Sequence, residues 1–218
     1  MKFPVEEALR YLGAAQAEGE TRRMAEEMAG ILGDRLRPRF TWRVFRIERD
    51  DGGILLPEAG IRLPGRLAED MLAECVEAVL SACTLGAAFD RMEMEWQARD
   101  MARAAVLDAC GSAWAEAGCD AAEEEIRERF PDRFLTDRFS PGYGDLPLSL
   151  QADFLRALDA GRILGITVNE SCLLAPAKSV TAVTGLADRP QGARIRGCAC
   201  CGLQGECEYR KRGETCGI

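Results

Sequence analysis

The sequence contains no histidine. That absence removes His-based nucleophile and base pairs, imidazole metal ligands and the usual general base near neutral pH. Any chemistry must fall to carboxylates, thiolates, Tyr, Lys, Arg or a bound cofactor. No apolar run approaches the roughly 18 residues that span a bilayer, and Glu6 and Glu7 stand where a signal peptide would carry an apolar stretch. A cytoplasmic protein that holds no membrane is the expectation. Excess positive charge is also missing. A formal net charge of −8 argues against gripping nucleic acid by bulk electrostatics. No glycine-rich phosphate fingerprint, Walker lysine motif or nucleophile elbow occurs anywhere in the chain.

What is present describes a globular chain. The 218 residues are 47% hydrophobic and 29% charged, enough for a substantial core. Helical spacing of Val5, Ala8, Leu9 and Leu12, then of Met24, Met28, Ile31 and Leu32, predicts two short helices. Phe40, Trp42, Val44, Phe45 and Ile47 run as a strand that ends at Asp50-Asp51-Gly52-Gly53. Ile54-Leu55-Leu56 and Ile61-Arg62-Leu63 continue an antiparallel arrangement. Residues 66 to 74 read as a helix and 75 to 83 as a mostly buried strand that delivers Thr84-Leu85-Gly86. That last segment can present backbone to a ligand, or simply turn from strand to helix.

From Ala87 to about Arg129 the chain favours one long helix or two nearly continuous ones, with no proline to break it. Gly111, Ser112 and Gly118 within it allow another backbone or a flat cofactor to come close. Glu116 and Asp120 are four apart and share one face, which suits either a cationic partner or a solvated acidic surface. Residues 149 to 160 read as a further helix, and 163 to 168 and 179 to 186 as two strands of an antiparallel meander. Ala175-Pro176-Ala177-Lys178 forms the turn between those strands.

Arg138-Phe139-Ser140-Pro141-Gly142-Tyr143-Gly144-Asp145-Leu146-Pro147-Leu148 holds two prolines, two glycines and a tyrosine between charged residues. Proline fixes φ and glycine permits left-handed backbone, so this segment is a rigid loop, serving as a connector or a ligand wall.

Thr84-Leu85-Gly86, Ala109-Cys110-Gly111-Ser112 with Glu116 and Asp120, the 138–148 loop with Gln151, and Pro176-Ala177-Lys178-Ser179-Val180 follow one another in an order that resembles the reactivation domain of cobalamin-dependent methionine synthase. The resemblance covers residues 40 to 187 and is closest to stand-alone proteins related to that domain. It implies an α+β fold, a twisted antiparallel sheet with surrounding helices, over residues 1–187; the cysteine-rich tail over 188–218 lies beyond the resemblance. It implies a role in rescuing cob(II)alamin, which a reductant of the flavodoxin or ferredoxin type reduces and S-adenosylmethionine remethylates. The cobalamin would be carried by a partner methionine synthase or another corrinoid protein. Among site residues, it implies that Arg138 meets the ligand carboxylate, the Ser140 backbone meets the adenine, Gly142 lies in the same wall, and Glu116 meets the methionine ammonium. Tyr143 would line the site close to the cobalamin face as the candidate catalytic side chain. The pairing is chemically apt, because a zwitterionic amino acid needs a guanidinium and an acid.

Ten cysteines are distributed unevenly. Cys75, Cys83, Cys110, Cys119 and Cys172 are scattered and read as small core residues. Cys198, Cys201, Cys207 and Cys216 are clustered late in the chain and suit a zinc or iron–sulfur site, or else free or redox-active thiols. Three functions stay open: a stand-alone reactivation partner, a non-enzymatic corrinoid-protein adaptor, and a metal or electron-transfer protein working through the tail.

Overall fold

A computed structural model describes residues 2–192, together with Gly205, Lys211 and Gly213. The chain begins with helices α1 (Val5–Tyr11) and α2 (Glu20–Arg35), then strands β1 (Arg39–Arg46), β2 (Glu48–Asp50), β3 (Gly53–Leu56) and β4 (Ile61–Leu63). Helix α3 (Arg66–Leu72) leads into β5 (Cys75–Thr84), followed by α4 (Ala87–Gln97) and the 29-residue α5 (Met101–Arg129). A short β6 (Phe134–Leu135) precedes the loop, after which come α6 (Gln151–Leu158), α7 (Ala160–Leu164), β7 (Thr167–Val168), β8 (Leu174–Ala175) and β9 (Ser179–Ala187).

The main sheet has the order β1-β5-β9-β6 and is antiparallel throughout. β2-β3-β4 and β7-β8 form two small sheets of their own. The fold is therefore α+β, an antiparallel sheet with surrounding helices. β5 and β9 are central and are covered on both faces. Leu80, Ala82 and Val183 pack with α3, α6 and α7, whereas Val79 and Leu186 pack with Ile126 of α5. Burial on both sides explains why β5 reads as an almost unbroken apolar run instead of an alternation. A second core joins α1, α2, α4 and α5 around Phe89 and Trp114.

The 87–129 stretch is two helices because Asp100 caps the second one. Its Oδ1 accepts from the backbone N–H of Ala102 at 3.0 Å and of Arg103 at 3.1 Å. The small residues of α5 serve packing inside the protein. A methyl at Gly111 would sit 2.3 Å from the Phe89 ring, and one at Gly118 would sit 2.5 Å from Cys83 Sγ.

The expected strand at 163–168 is corrected. Ile163 and Leu164 finish α7, left-handed Gly165 caps it (φ 74°), and only Thr167–Val168 is extended, paired with β8. The two expected strands do not neighbour each other, since β9 lies between β5 and β6. Four of the scattered cysteines, Cys75, Cys83, Cys110 and Cys119, are buried as expected, while Cys172 is partly exposed. Burial pushes the Cys110 thiol up to about 12. Alkylation at pH 8 with peptide mapping should therefore modify Cys172 well before those four. Rapid labelling of Cys110 would contradict this packing.

No described helix is long and apolar enough to cross a membrane.

Candidate functional site

Helix α5 crosses beneath the sheet with Asp108, Ser112 and Glu116 spaced four residues apart along one face. Against that face lie the end of α1 and the turn that enters β9. Together they enclose a cavity of about 480 Å³ lined by Tyr11, Asp108, Ser112, Glu116, Lys178 and Ser179, with small apolar residues between them. That volume lies within the range of small-molecule sites.

One end of the cavity is acidic and is organised by Arg138. Its Nη2 donates to Glu116 Oε2 at 2.5 Å, and its Nη1 donates to Asp120 Oδ1 at 2.7 Å and Glu123 Oε1 at 2.5 Å. Arg138 is 9% exposed and Glu123 10%, whereas Asp120 is 65% exposed. The shared acidic face of Glu116 and Asp120 thus meets a cation of the chain itself. Burial opposes the guanidinium charge, but the surrounding Cys119, Glu123 and Glu116 outweigh it and raise its pKa above the ordinary value. An incoming carboxylate can engage Arg138 most cheaply by replacing Asp120, the most exposed of the three acids. Asp120 would then be released toward an ammonium, while Glu116 stays on Nη2.

The other end is polar and carries a lysine. Lys178 Nζ donates to Asp108 Oδ1 at 2.7 Å and to Ser112 Oγ at 2.9 Å, and it lies 5.7 Å from the centroid of the Phe89 ring. Burial, and then a hydrogen bond with Asp108, raise the pKa of Glu93 behind this pair. The Lys178 turn is locked to the Thr84-Leu85-Gly86 segment. Leu85 N–H donates to the Lys178 carbonyl at 3.0 Å, and the Thr84 and Ser179 hydroxyls are 2.7 Å apart. Gly86 N–H donates to Thr84 Oγ1. The Thr-Leu-Gly backbone is therefore engaged within the fold, so its value to the site is to hold the lysine turn. The peptide bond Ala175–Pro176 in this turn is cis.

The loop at 138–148 is rigid for reasons visible along its length. Phe139 is buried and bridges to Val183 of β9. Tyr143 N–H donates to the Ser140 carbonyl at 3.0 Å, and Gly142, at φ 91°, donates to the Leu146 carbonyl at 2.8 Å. Asp145 accepts from the N–H groups of Arg66 at 2.7 Å and Leu67 at 3.1 Å, capping α3 from a distance in sequence. Its carboxylate fills the space where a side chain on Gly65 would stand, 2.6 Å from the ideal Cβ position. The loop is thus both connector and wall. The hydrogen bonds from Leu67 and Arg66 lower the Asp145 pKa, so the cap is fully present above the carboxyl's ordinary value of 3.8 and fades as pH falls below it. Asp145→Ala should melt at a lower temperature than the parent at pH 7, and the gap should narrow in acid; a gap independent of pH would refute the charged cap.

Of the residues expected at the site, Glu116 lines the cavity, and Arg138, itself not among the lining residues, bonds Glu116 from behind. Ser140, Gly142 and Tyr143 are not among the residues that line it, and Tyr143 is 50% exposed. Gln151, on the far side of β9, bonds Thr181 Oγ1 at 2.5 Å and holds the loop's exit. Three contributors carried no recognised role in the sequence: Tyr11, Lys178 and Glu123. For Glu123 a signal existed, since 116, 120 and 123 share one helical face. Burial, followed by the Glu116 charge, raises the Tyr11 pKa. Among the described residues no group of His, Cys, Asp or Glu is arranged to hold a metal ion. Cys198, Cys201, Cys207 and Cys216 lie outside the described residues.

No protein-family model matches this chain, and no curated protein matches it by sequence. Among solved structures it is similar to the crystal structure of the MetH reactivation domain bound to AdoHcy, with a TM-score of 0.59 and 18% identity, covering 90% of this chain and 74% of that one. At that identity the likeness establishes the fold.

Proposed function

We propose that this chain binds S-adenosylmethionine in the cavity between α1, α5 and the β9 turn, and supports remethylation of a corrinoid held by a partner methionine synthase or related methyltransferase. The observation that carries the reading is Arg138 shared among Glu116, Asp120 and Glu123 at the cavity's edge. A guanidinium beside two partly exposed acids is the donor and acceptor set of a zwitterionic amino acid. Support also comes from the fold shared with a domain whose structure holds AdoHcy.

S-adenosylmethionine supplies the methyl group when bound, and this chain's residues position it. Arg138 takes the carboxylate, Glu116 the ammonium, and Tyr11 closes the cavity from α1. Catalysis of this kind is orientation, which needs no protein nucleophile and suits a chain without histidine. Tyr143 and Leu148, 50% and 40% exposed on the same loop, form the surface offered to the corrinoid partner. That exposure also favours a second reading, a non-enzymatic adaptor that contacts the corrinoid protein without turning over the methyl donor.

Calorimetric titration with S-adenosylmethionine tests the site. Binding is expected, and Glu116→Gln should weaken it about tenfold, the loss of one hydrogen bond to a charged group. No heat of binding, with or without a cobalamin-loaded partner, would sink the reading. If binding occurs but remethylation of a partner's cobalamin by a flavodoxin- or ferredoxin-type reductant does not, the adaptor stands instead. For the tail, residues 188–218, we propose a zinc or iron–sulfur site at Cys198, Cys201, Cys207 and Cys216. Iron and zinc analysis of anaerobically purified protein checks it, and a metal-free, colourless preparation would remove it.

A further inference from the structure

We infer that the Lys178 end of the cavity reads the purine base of the ligand, with Asp108 accepting from the exocyclic amino group of adenine and Lys178 donating to the neighbouring ring nitrogen. This rests on reading the cavity as an S-adenosylmethionine site, and it assigns the end of that site opposite Glu116.

Length along α5 sets which part of the ligand arrives there. Asp108 and Glu116 both line the cavity and are eight residues apart on one helix, about 12 Å along its axis. With the amino acid end at Glu116, the ribose lies level with Ser112, and only the base reaches Asp108. Ala105 and Ala109, next to Asp108 on α5, also line the cavity and suit the apolar faces of a purine. Ser140, the residue that the family resemblance sets against adenine, is not among those lining this cavity, which leaves Asp108 and Lys178 to read the base.

The polar groups at this end are held in fixed places. Leu85 N–H on the Lys178 carbonyl and Ala177 N–H on the Asp90 carboxylate pin the turn from both sides. Lys178 is 13% exposed, and two of its three ammonium hydrogens go to Asp108 and Ser112, which leaves one to donate. Asp108 is 51% exposed, and a carboxylate keeps lone pairs beyond its bonds with Lys178 and Glu93. A donor therefore stands 2.7 Å from an acceptor. That pair is the complement of adenine, whose amino donor lies beside ring-nitrogen acceptors. Hypoxanthine offers an oxygen in place of the amino group and a ring N–H in place of the N1 acceptor, so both partners would meet the wrong group.

The test is calorimetry with S-adenosylmethionine and its deaminated analogue, S-inosylmethionine, on the parent protein, Asp108→Asn and Lys178→Met, with melting curves to establish that each is folded. The parent should bind the adenine ligand at least about tenfold tighter, the worth of a hydrogen bond to a charged group. In Asp108→Asn, whose amide can donate to an oxygen, and in Lys178→Met, which has no donor, that preference should largely disappear. Equal binding of the two ligands by the parent would overturn the inference and leave the site intact. A preference that persists in both variants, as when Asp108 meets the ribose hydroxyls and the two ligands weaken alike, would also overturn it. Failure of both ligands to bind the parent would overturn the S-adenosylmethionine reading as well.

Discussion

Arg138→Met should cost about 3 kcal/mol of folding stability, measured by urea denaturation, before any effect on ligand is considered. Removing one member of a buried ion pair strands its partner, and such losses run to roughly 3–5 kcal/mol. Glu123 is the partner at issue, at 10% exposure and 2.5 Å from Arg138. Arg127 still reaches its other oxygen but is 49% exposed, which places the expected loss at the low end of that range. Asp120 is largely solvated and should contribute little. Arg138→Met combined with Glu123→Gln should recover part of the loss, because the stranded charge is gone. Arg138→Lys should fall between, since an ammonium cannot span three carboxylates as a planar fork does. A loss below about 1 kcal/mol in Arg138→Met would mean the cluster behaves as a surface pair. Ligand binding to Arg138 variants is therefore informative only beside a measured folded fraction.

How the sequence announced this site, and where it stayed silent, follows from what is local. β1, β5 and β9 are legible because aromatic and β-branched residues or unbroken apolar runs persist over eight residues or more. The loop at 138–148 is legible because Pro141, Gly142 and Gly144 exclude regular structure. Ile163-Leu164-Gly165-Ile166 misleads for a local reason: Leu164 and Ile166 are core residues, and an apolar pair at the end of a five-residue helix looks like a strand. The separation of β9 from residues 163–168 rests on pairing with β5, 95 to 112 residues earlier, which no window of sequence contains. Glu116 and Arg138 were singled out through the family resemblance, and the bond between them, 22 residues apart, is visible only in the fold. Lys178 was visible as part of a motif, but its reach to Asp108 and Ser112, 70 and 66 residues away, was not. Tyr11 was hidden entirely, because it depends on how α1 docks.

That docking is carried by Trp114, and Trp114→Ala should cost about 3–5 kcal/mol, the usual penalty for truncating a buried large aromatic. The ring is 1% exposed on α5 and stacks on Phe3, just before α1, with centroids 4.8 Å apart. Its Nε1 donates at 3.1 Å to the carbonyl of Leu36, just after α2. One side chain thus ties both ends of the α1–α2 pair to the helix that bears Asp108, Ser112 and Glu116. Trp114→Phe keeps the stacking partner but loses the Leu36 bond and some volume, so a smaller loss of about 1–2 kcal/mol is expected. Because α1 brings Tyr11 and Leu12 to the cavity, loosening it lowers the fraction of molecules with a complete site, and apparent affinity falls by that same fraction. In Trp114→Phe, amide exchange should speed up across residues 5–11 while β5 and β9 remain protected, and S-adenosylmethionine should bind more weakly although no residue touching it has changed. If α1 exchanges no faster than in the parent, Trp114 is only filling volume and the cavity does not depend on it.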